Sequence, residues 1–262
     1  MMRALWSAAS GMKTQQDNMD VIANNIANVN TTGGKKQRAE FQDLIYQTMR
    51  AAGAPSGDNA QYPEALQVGL GDRLSATNRI FTQGNLQSTG NPTDIAIQGE
   101  GFFAITLPDG TTAYTRDGAF KLDSERNLVT TDGYQLATAI QFPEGATSDS
   151  ITIAEDGQVS CVVNGQTQTV GNIQLTRFVN PSGLTAMGKN LFLQSDASGE
   201  PIEGTPGQDG AGTLMQDTLE MSNVQIAEEM VNMIIAQRAY ESNSKAITTS
   251  DSMLEIANGL KR

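Results

Sequence analysis

Residues 221 to 260 read MSNVQIAEEMVNMIIAQRAYESNSKAITTSDSMLEIANGL, and their apolar residues fall into two rows at helical spacing. One row runs through Val224, Val231, Ile235, Ala239, Ala246, Met253 and Leu260, the other through Ile226, Met230, Met233, Tyr240, Ile247 and Leu254. Equivalent residues of the two rows lie about 100° apart around a helix, so a single partner helix cannot cover both. Several neighbours are required. The start of the chain carries a matching pattern: Leu5, Ala8, Met12, Gln15, Met19, Ile22, Ile26 and Val29 alternate spacings of three and four, the seam of a coiled coil. Two helical ends enclosing a chain without helical periodicity make sense if the ends meet and if subunits assemble through them.

Composition agrees with an assembly subunit. The chain has 262 residues, beyond the usual size of one domain, with 38% hydrophobic and 5% aromatic residues, lean for one large core. Seventeen basic against 29 acidic residues give a net charge of −12, which repels phosphate backbones and anionic lipid surfaces, so nucleic acid is not an expected partner. No stretch reaches the roughly 18 apolar residues of a membrane span. Residues 1 to 12 lack the continuous apolar core of a secretory signal and are followed by Lys13, Asp17 and Asp20, so export without a cleaved signal is expected. The one cysteine, Cys161, stands in the alternating run Val159-Ser160-Cys161-Val162-Val163 and reads as a small buried strand residue.

Along the chain, the first helix is expected over residues 3 to 29, closing in Asn28-Val29-Asn30-Thr31-Thr32-Gly33-Gly34, where Asn and Gly accept left-handed conformations. Residues 35 to 50 fit either a short helix, through Phe41, Leu44, Ile45 and Met49, or an extended arm, and residues 51 to 63 read as a loop. From about 66 to 215 the signals are strands and turns. Asp109-Gly110, Asp132-Gly133 and Asn164-Gly165 each separate alternating runs, the strongest local hairpin signature. Ser195 to Gly212, rich in Gly, Pro and Asp, returns the chain, and Ser222 with Gln225 has capping-box spacing for a last helix over 221 to 259. The fold class is therefore α+β: terminal helices (1–30 and 219–262) forming a coiled-coil-like module, a connector (31–70) and an antiparallel β-domain (71–218).

Few residues invite chemistry. Without a single His, Ser-His and Cys-His catalysis are excluded and zinc sites disfavoured. Gln98-Gly99-Glu100-Gly101-Phe102-Phe103 lacks the full dinucleotide fingerprint and reads as a turn between strands. The carboxylate pairs Asp94 with Glu100 and Asp117 with Asp123 have the residue types of a glycosidase, but among 29 acidic residues such pairs arise by chance. No cofactor or metal site is expected. The cluster Asn24, Asn25, Asn28 and Asn30 is more informative: Asn24 and Asn25 precede the helix end by a turn, where Asn is a mediocre helix former, so their amides are expected to fix register rather than cap. The expected assembly residues are Leu5, Met12, Met19, Ile22, Asn24, Asn25, Ile26, Asn28, Val231, Ile235, Tyr240, Ile247 and Leu254.

Two long segments carry a resemblance. Ala23-Asn24-Asn25-Ile26-Ala27-Asn28-Val29-Asn30-Thr31-Thr32-Gly33 looks like the N-terminal signature of the flagellar rod and hook family of axial proteins. Ser222-Asn223-Val224, Ala227 through Ile234 and Gln237-Arg238-Ala239-Tyr240-Glu241 resemble its C-terminal signature. Leu44 to Arg50 with the insertion to Pro63, Thr93 to Phe103, and Tyr114-Thr115-Arg116-Asp117-Gly118 look most like the family's distal-rod members. The resemblance implies a non-enzymatic subunit of a helical homopolymer, exported unfolded by the flagellar type III apparatus. Its implied partners are other copies of itself, proximal rod proteins, the hook protein and the surrounding P- and L-ring proteins. It also implies a rod-specific arm at 46–63, including Tyr46, Gln47, Thr48, Arg50 and Pro63, that separates a rod from a hook or proximal-rod subunit. A wall hydrolase is the rival class. One position departs from the family pattern: Gly34 stands before Lys35 and Lys36 where the family usually places an aromatic, so the anchor at the helix-to-arm junction is expected to be missing or supplied elsewhere.

Overall fold

A computed structural model describes residues 2–57, 60–147, 150–163 and 165–259. Leu260 of the first helical row, Asn164 of the third hairpin turn and residues 58–59 of the arm lie outside the described residues. The terminal helices are α1 (Met2–Ala27) and α2 (Ile226–Gly259), and the chain between them forms antiparallel strands. Packing draws the divisions elsewhere than at the expected residues 31, 71 and 219. One unit comprises Met1–Ile26, Gln37–Asn78 and Gln225–Arg262; the other comprises Ala27–Lys36 and Arg79–Val224.

In the first unit α1 and α2 run antiparallel. A Cβ on Gly11 would lie 2.7 Å from Asn243 Nδ2, and Asn25 Nδ2 donates to Glu229 Oε2 at 3.1 Å. These contacts are equally spaced on both helices with opposite sense, so the pairing keeps register over about 21 Å at 1.5 Å per residue. The covered face of α1 follows the expected seam: Ala8 and Ile22 are buried, and Leu5, Met12, Gln15, Met19 and Ile26 are half-buried.

Residues 37 to 79 resolve the ambiguity of the connector in favour of an extended arm. Strand Gln37–Asp43 pairs with Asp72–Arg79, Gln47–Arg50 with Leu66–Val68, and Pro55–Gly57 with Ala60–Gln61. A two-stranded ribbon alone is marginal in water. This one rests on α1, where Thr14 Oγ1 donates to Asp72 Oδ2 at 2.9 Å. Gly71, with φ of +107°, brings the ribbon backbone so close that a Cβ would lie 1.9 Å from Ser10 Oγ; only glycine fits there.

The second unit is the β-domain. Its central strand, Phe102–Thr106, pairs with Thr112–Thr115, Gln135–Leu136 and Leu175–Arg177. Alternation sends Phe103 into the main core with Ile95, Phe120, Leu128, Ile173, Leu175 and Leu214. Phe102 goes to the other face, where it meets Tyr114, Phe178 and Phe192. Asp109-Gly110 and Asp132-Gly133 sit between paired strands as their hairpin signature predicts, and Gln158–Val163 pairs with Gln166–Asn172. Cys161 is a fully buried strand residue.

The capping-box expectation is corrected. Helix α2 begins at Ile226, with Glu229 N–H bonding to the Gln225 carbonyl, because residues 222 and 223 are recruited by the β unit. Asn223 Oδ1 accepts from Lys36 N–H at 2.7 Å, and its Nδ2 donates to the carbonyls of Ile80 and Thr82. Ser222 Oγ instead accepts from Val224 N–H.

Candidate assembly surface

The fold covers part of the apolar surface of α2 and leaves members of both rows exposed. Its inward face carries Glu229 and Ala236, both buried, with Met233, Asn243, Ile247 and Leu254 half-buried. The outward face carries Ile226, Met230, Val231, Ile234 and Ile235, with Val231 55% and Ile235 61% exposed. Tyr240 is 38% exposed on the same helix. Successive members such as Val231 and Ile235 are one turn apart and lie on one side of the helix. An apolar stripe of this length left in water on a helix whose opposite face is already used is a candidate interaction surface. Of the expected assembly residues, Ile22 is buried, Leu5, Met12, Met19, Ile26, Ile247 and Leu254 are half-buried, and Val231, Ile235 and Tyr240 are exposed.

The asparagines separate as well. Asn24 and Asn28 are exposed, whereas Asn25 is 3% exposed and acts as a backbone clamp. Its Nδ2 donates to the Gln37 carbonyl at 2.8 Å, and its Oδ1 accepts from Gln37 N–H at 2.8 Å. With the bond to Glu229, one amide joins α1, the first residue of the ribbon and α2. The amide thus mimics a strand neighbour, which a helix cannot otherwise offer.

The arm residues lie on the ribbon. Gln47 and Thr48 pair with Val68 and Gln67, Tyr46 packs its ring beside Gly69, and the Arg50 guanidinium stacks 3.7 Å from the centroid of Tyr62. Pro63 is exposed, as are Ile45, Met49 and Leu66.

Gly34 is a tight position for the aromatic of the family pattern, since a Cβ there would lie 3.0 Å from the Thr31 carbonyl oxygen and 3.3 Å from Ser222 Oγ, so that these neighbours would have to yield by a few tenths of an ångström. The anchor is Lys35 instead. Its ammonium, wholly buried, lies 2.6 Å from Glu220 Oε1 and donates to the Thr82 carbonyl at 2.9 Å. Arg116 Nε lies 2.6 Å from the other Glu220 oxygen, and its remaining donors reach the carbonyls of Gly101, Gly99 and Ile97. These bonds hold the Gln98-Gly99-Glu100-Gly101 turn, in which Gly99 and Gly101 have positive φ. Sequence reasoning did not single out Lys35, Glu220 or the buried role of Arg116. The available signal was slight: Glu220 stands at a strand position, where a buried charge demands an opposite charge nearby.

Burial pushes the Lys35 ammonium below its ordinary value of 10.5, against the attraction of Glu220. Burial would raise the Glu220 carboxyl, but the charges of Arg116 and Lys35 and their hydrogen bonds outweigh it and hold the group below 4.5. The unfolded chain therefore binds a proton at Glu220 more readily than the folded one, so this contribution to stability is present above the ordinary carboxylate range and is lost as pH falls below it. The urea midpoint of the β-domain, followed by near-ultraviolet circular dichroism, is expected to be lower at pH 3.5 than at pH 7; an unchanged midpoint would refute the assignment.

Three of the four carboxylates weighed for catalysis are engaged in structure, and Glu100 is exposed. Asp94 accepts from Thr89 Oγ1 at 2.6 Å and Asn91 Nδ2 at 3.0 Å. Asp117 accepts from Ala119 N–H and Asn190 Nδ2, and Asp123 from Ser124 N–H.

Three families match separate parts of the chain. Residues 5–35 match the family described as flagella basal body rod protein, residues 96–161 the flagellar hook protein FlgE/F/G D1 domain, and residues 215–260 the flagellar basal body rod FlgEFG protein C-terminal family. The chain is 59% identical, over 100% of both chains, to the flagellar basal-body rod protein FlgG of Borreliella burgdorferi. It is 52% identical to FlgG of Buchnera aphidicola, covering 97% of this chain and 98% of that one. With FlgG of Caulobacter vibrioides it shares 48% identity, over 99% of this chain and 100% of that one.

Proposed function

Because the chain belongs to the flagellar basal-body rod protein FlgG family, and is thus a structural rod subunit, we propose that it builds the distal segment of the rod. There it polymerises into a rigid helical tube that carries motor torque across the periplasm to the hook. The observation that carries this reading is the uncovered apolar stripe of α2, from Ile226 through Ile235. Neighbouring copies cover it. A heterologous contact that does not close into a ring propagates as a helical filament. Asn24 and Asn28 fix register between subunits while Asn25 fixes α1 against α2 within each one, the helices form the inner layer and the β-domain the outer. Proximal rod proteins, the hook protein and the P- and L-ring proteins are the neighbours of that polymer, and the flagellar type III apparatus delivers its subunits.

The helical pair buries few side chains, mostly small or polar: Ala8, Thr14, Ile22 and Asn25 on α1, with Glu229 and Ala236 on α2. Helices with so little apolar burial draw stability from further packing. Helix content is therefore expected to rise as subunits join. Circular dichroism across a concentration series, with sedimentation of the same samples, tests this: coincident gain of helix and of large particles supports the assembly reading, and a fully helical, persistently monomeric protein overturns it.

The protein works without catalysis, a reading supported by the turn and strand roles of Asp94, Asp117 and Asp123. The arm ribbon, 46–63 with its partner strand, bridges neighbours and stiffens the tube. Deleting residues 46–63 is expected to give a polymer that bends more readily in electron micrographs; an unchanged persistence length would exclude that role.

A further inference from the structure

More than half of the chain's 29 acidic residues lie in the β unit, yet residues 157–188 hold none of them and a single basic residue, Arg177. Of the large apolar side chains that the unit leaves exposed, Val162, Val179 and Met187 fall in this stretch, at 44%, 81% and 47%, with Ile202 and Met215 elsewhere. Two acidic β units repel each other wherever their charges face. The uncharged stretch is where they can approach.

The same stretch supplies two open sheet edges. Gln166–Asn172 is the outer strand of a three-stranded sheet and pairs with Gln158–Val163 alone. Val163 and Gln166 close its two-residue turn and so exchange backbone bonds; Thr167 and Thr169, at the alternate positions, turn their N–H and C=O groups to the open side. Thr185–Gly188 is the outer strand of the nine-stranded sheet, with all four residues exposed. Natural edges are usually guarded by charges, proline or bulges. Here each strand has one irregularity in register and neither charge nor proline.

A head-to-tail contact uses two different patches, one on each copy, and the unit offers two uncharged edges of different sequence. Building on the assembly reading above, we propose that the β units of neighbouring copies meet edge to edge, the open side of Gln166–Asn172 in one copy against Thr185–Gly188 in the next. The backbone groups of Thr167 and Thr169 find partners there, and Met187 is taken out of water. The acidic remainder of each unit stays in solvent. This contact joins subunits independently of the α2 stripe.

Charge placement tests this in the full-length protein, with the critical concentration read by sedimentation and the integrity of the β-domain by near-ultraviolet circular dichroism. Thr167 and Thr169 are exposed, so the isolated subunit tolerates charge at both. Thr167→Glu with Thr169→Glu is expected to raise the critical concentration about tenfold or more, since two carboxylates are then buried against an uncharged edge. Met187→Lys alone is expected to raise it as well. The three substitutions together are expected to return it to within about threefold of the unmodified protein, because opposite charges then face each other across the contact. An unchanged critical concentration in the glutamate variant would overturn the edge contact, and so would a triple variant as impaired as the glutamate one. An unmodified chain that never sediments would bring down the assembly reading and this contact with it; a chain that polymerises but fails the charge exchange loses the edge contact alone.

Discussion

Full-length protein carrying Val231→Glu and Ile235→Glu is expected to remain soluble and unpolymerised at concentrations where the unmodified chain sediments. Both positions are more than half exposed on the outward face of α2, so two carboxylates there stay hydrated in the isolated subunit and cost it little; surface changes of this kind usually fall within about 0.5 kcal/mol. In a polymer the same positions are covered. Each loses the roughly 1.5–3 kcal/mol of an apolar side chain taken out of water, and each adds a charge whose uncompensated burial costs several kcal/mol more. Summed over two sites, the association constant per subunit is expected to drop by at least about a thousandfold. Sedimentation against concentration measures it, with near-ultraviolet circular dichroism to establish that the β-domain is intact. Polymerisation at an unchanged critical concentration would show that this face is not buried in the assembly.

Asn25→Leu is expected to destabilise the helical unit by about 2–4 kcal/mol, as the two backbone groups of Gln37 lose their partner. The substitution strips partners from Gln37 N–H, the Gln37 carbonyl and Glu229 Oε2 together, and leucine can replace none of them. The ribbon would part from the end of α1, seen as lost amide protection over 37–43. Asn24→Leu makes the contrast. Asn24 is exposed, and the leucine is expected to alter the helical parameters of the polymer, because this amide sets register between subunits. Unchanged stability of Asn25→Leu, or unchanged polymer symmetry for Asn24→Leu, would remove the corresponding role.

Much of the architecture could be read locally. The three-four spacing from Leu5 to Ile26 identified the face of α1 that is covered, because a helix repeats its surface every 3.6 residues and the repeat is written in consecutive residues. Asp109-Gly110 and Asp132-Gly133 located hairpins because the turn itself requires conformations that few residues adopt. Cys161 was legible for the same reason, as one member of a strand alternation. The family signatures at both ends were legible because they are contiguous.

Other features depended on residues that meet only in the fold. Both rows of α2 are apolar, and which of their residues face inward was decided by α1 through Gly11 and Asn25, contacts to residues 243 and 229. The start of α2 shifted from 221 to 226 because Asn223 bonds to Lys36, Ile80 and Thr82 more fully than a helix cap would allow. Gln37–Asp43 and Gln47–Arg50 became strands because partners between 66 and 79 were available to complete their backbone hydrogen bonds. The charges of Lys35, Arg116 and Glu220 look like surface residues when each is read alone; only their convergence supplies the opposite charge that makes burial tolerable. Periodicity and turn chemistry are properties of neighbours along the chain, and the sequence by itself determined those. Pairing between distant segments is settled by which combination satisfies every buried donor, acceptor and charge at once, and that was decided only by the tertiary structure.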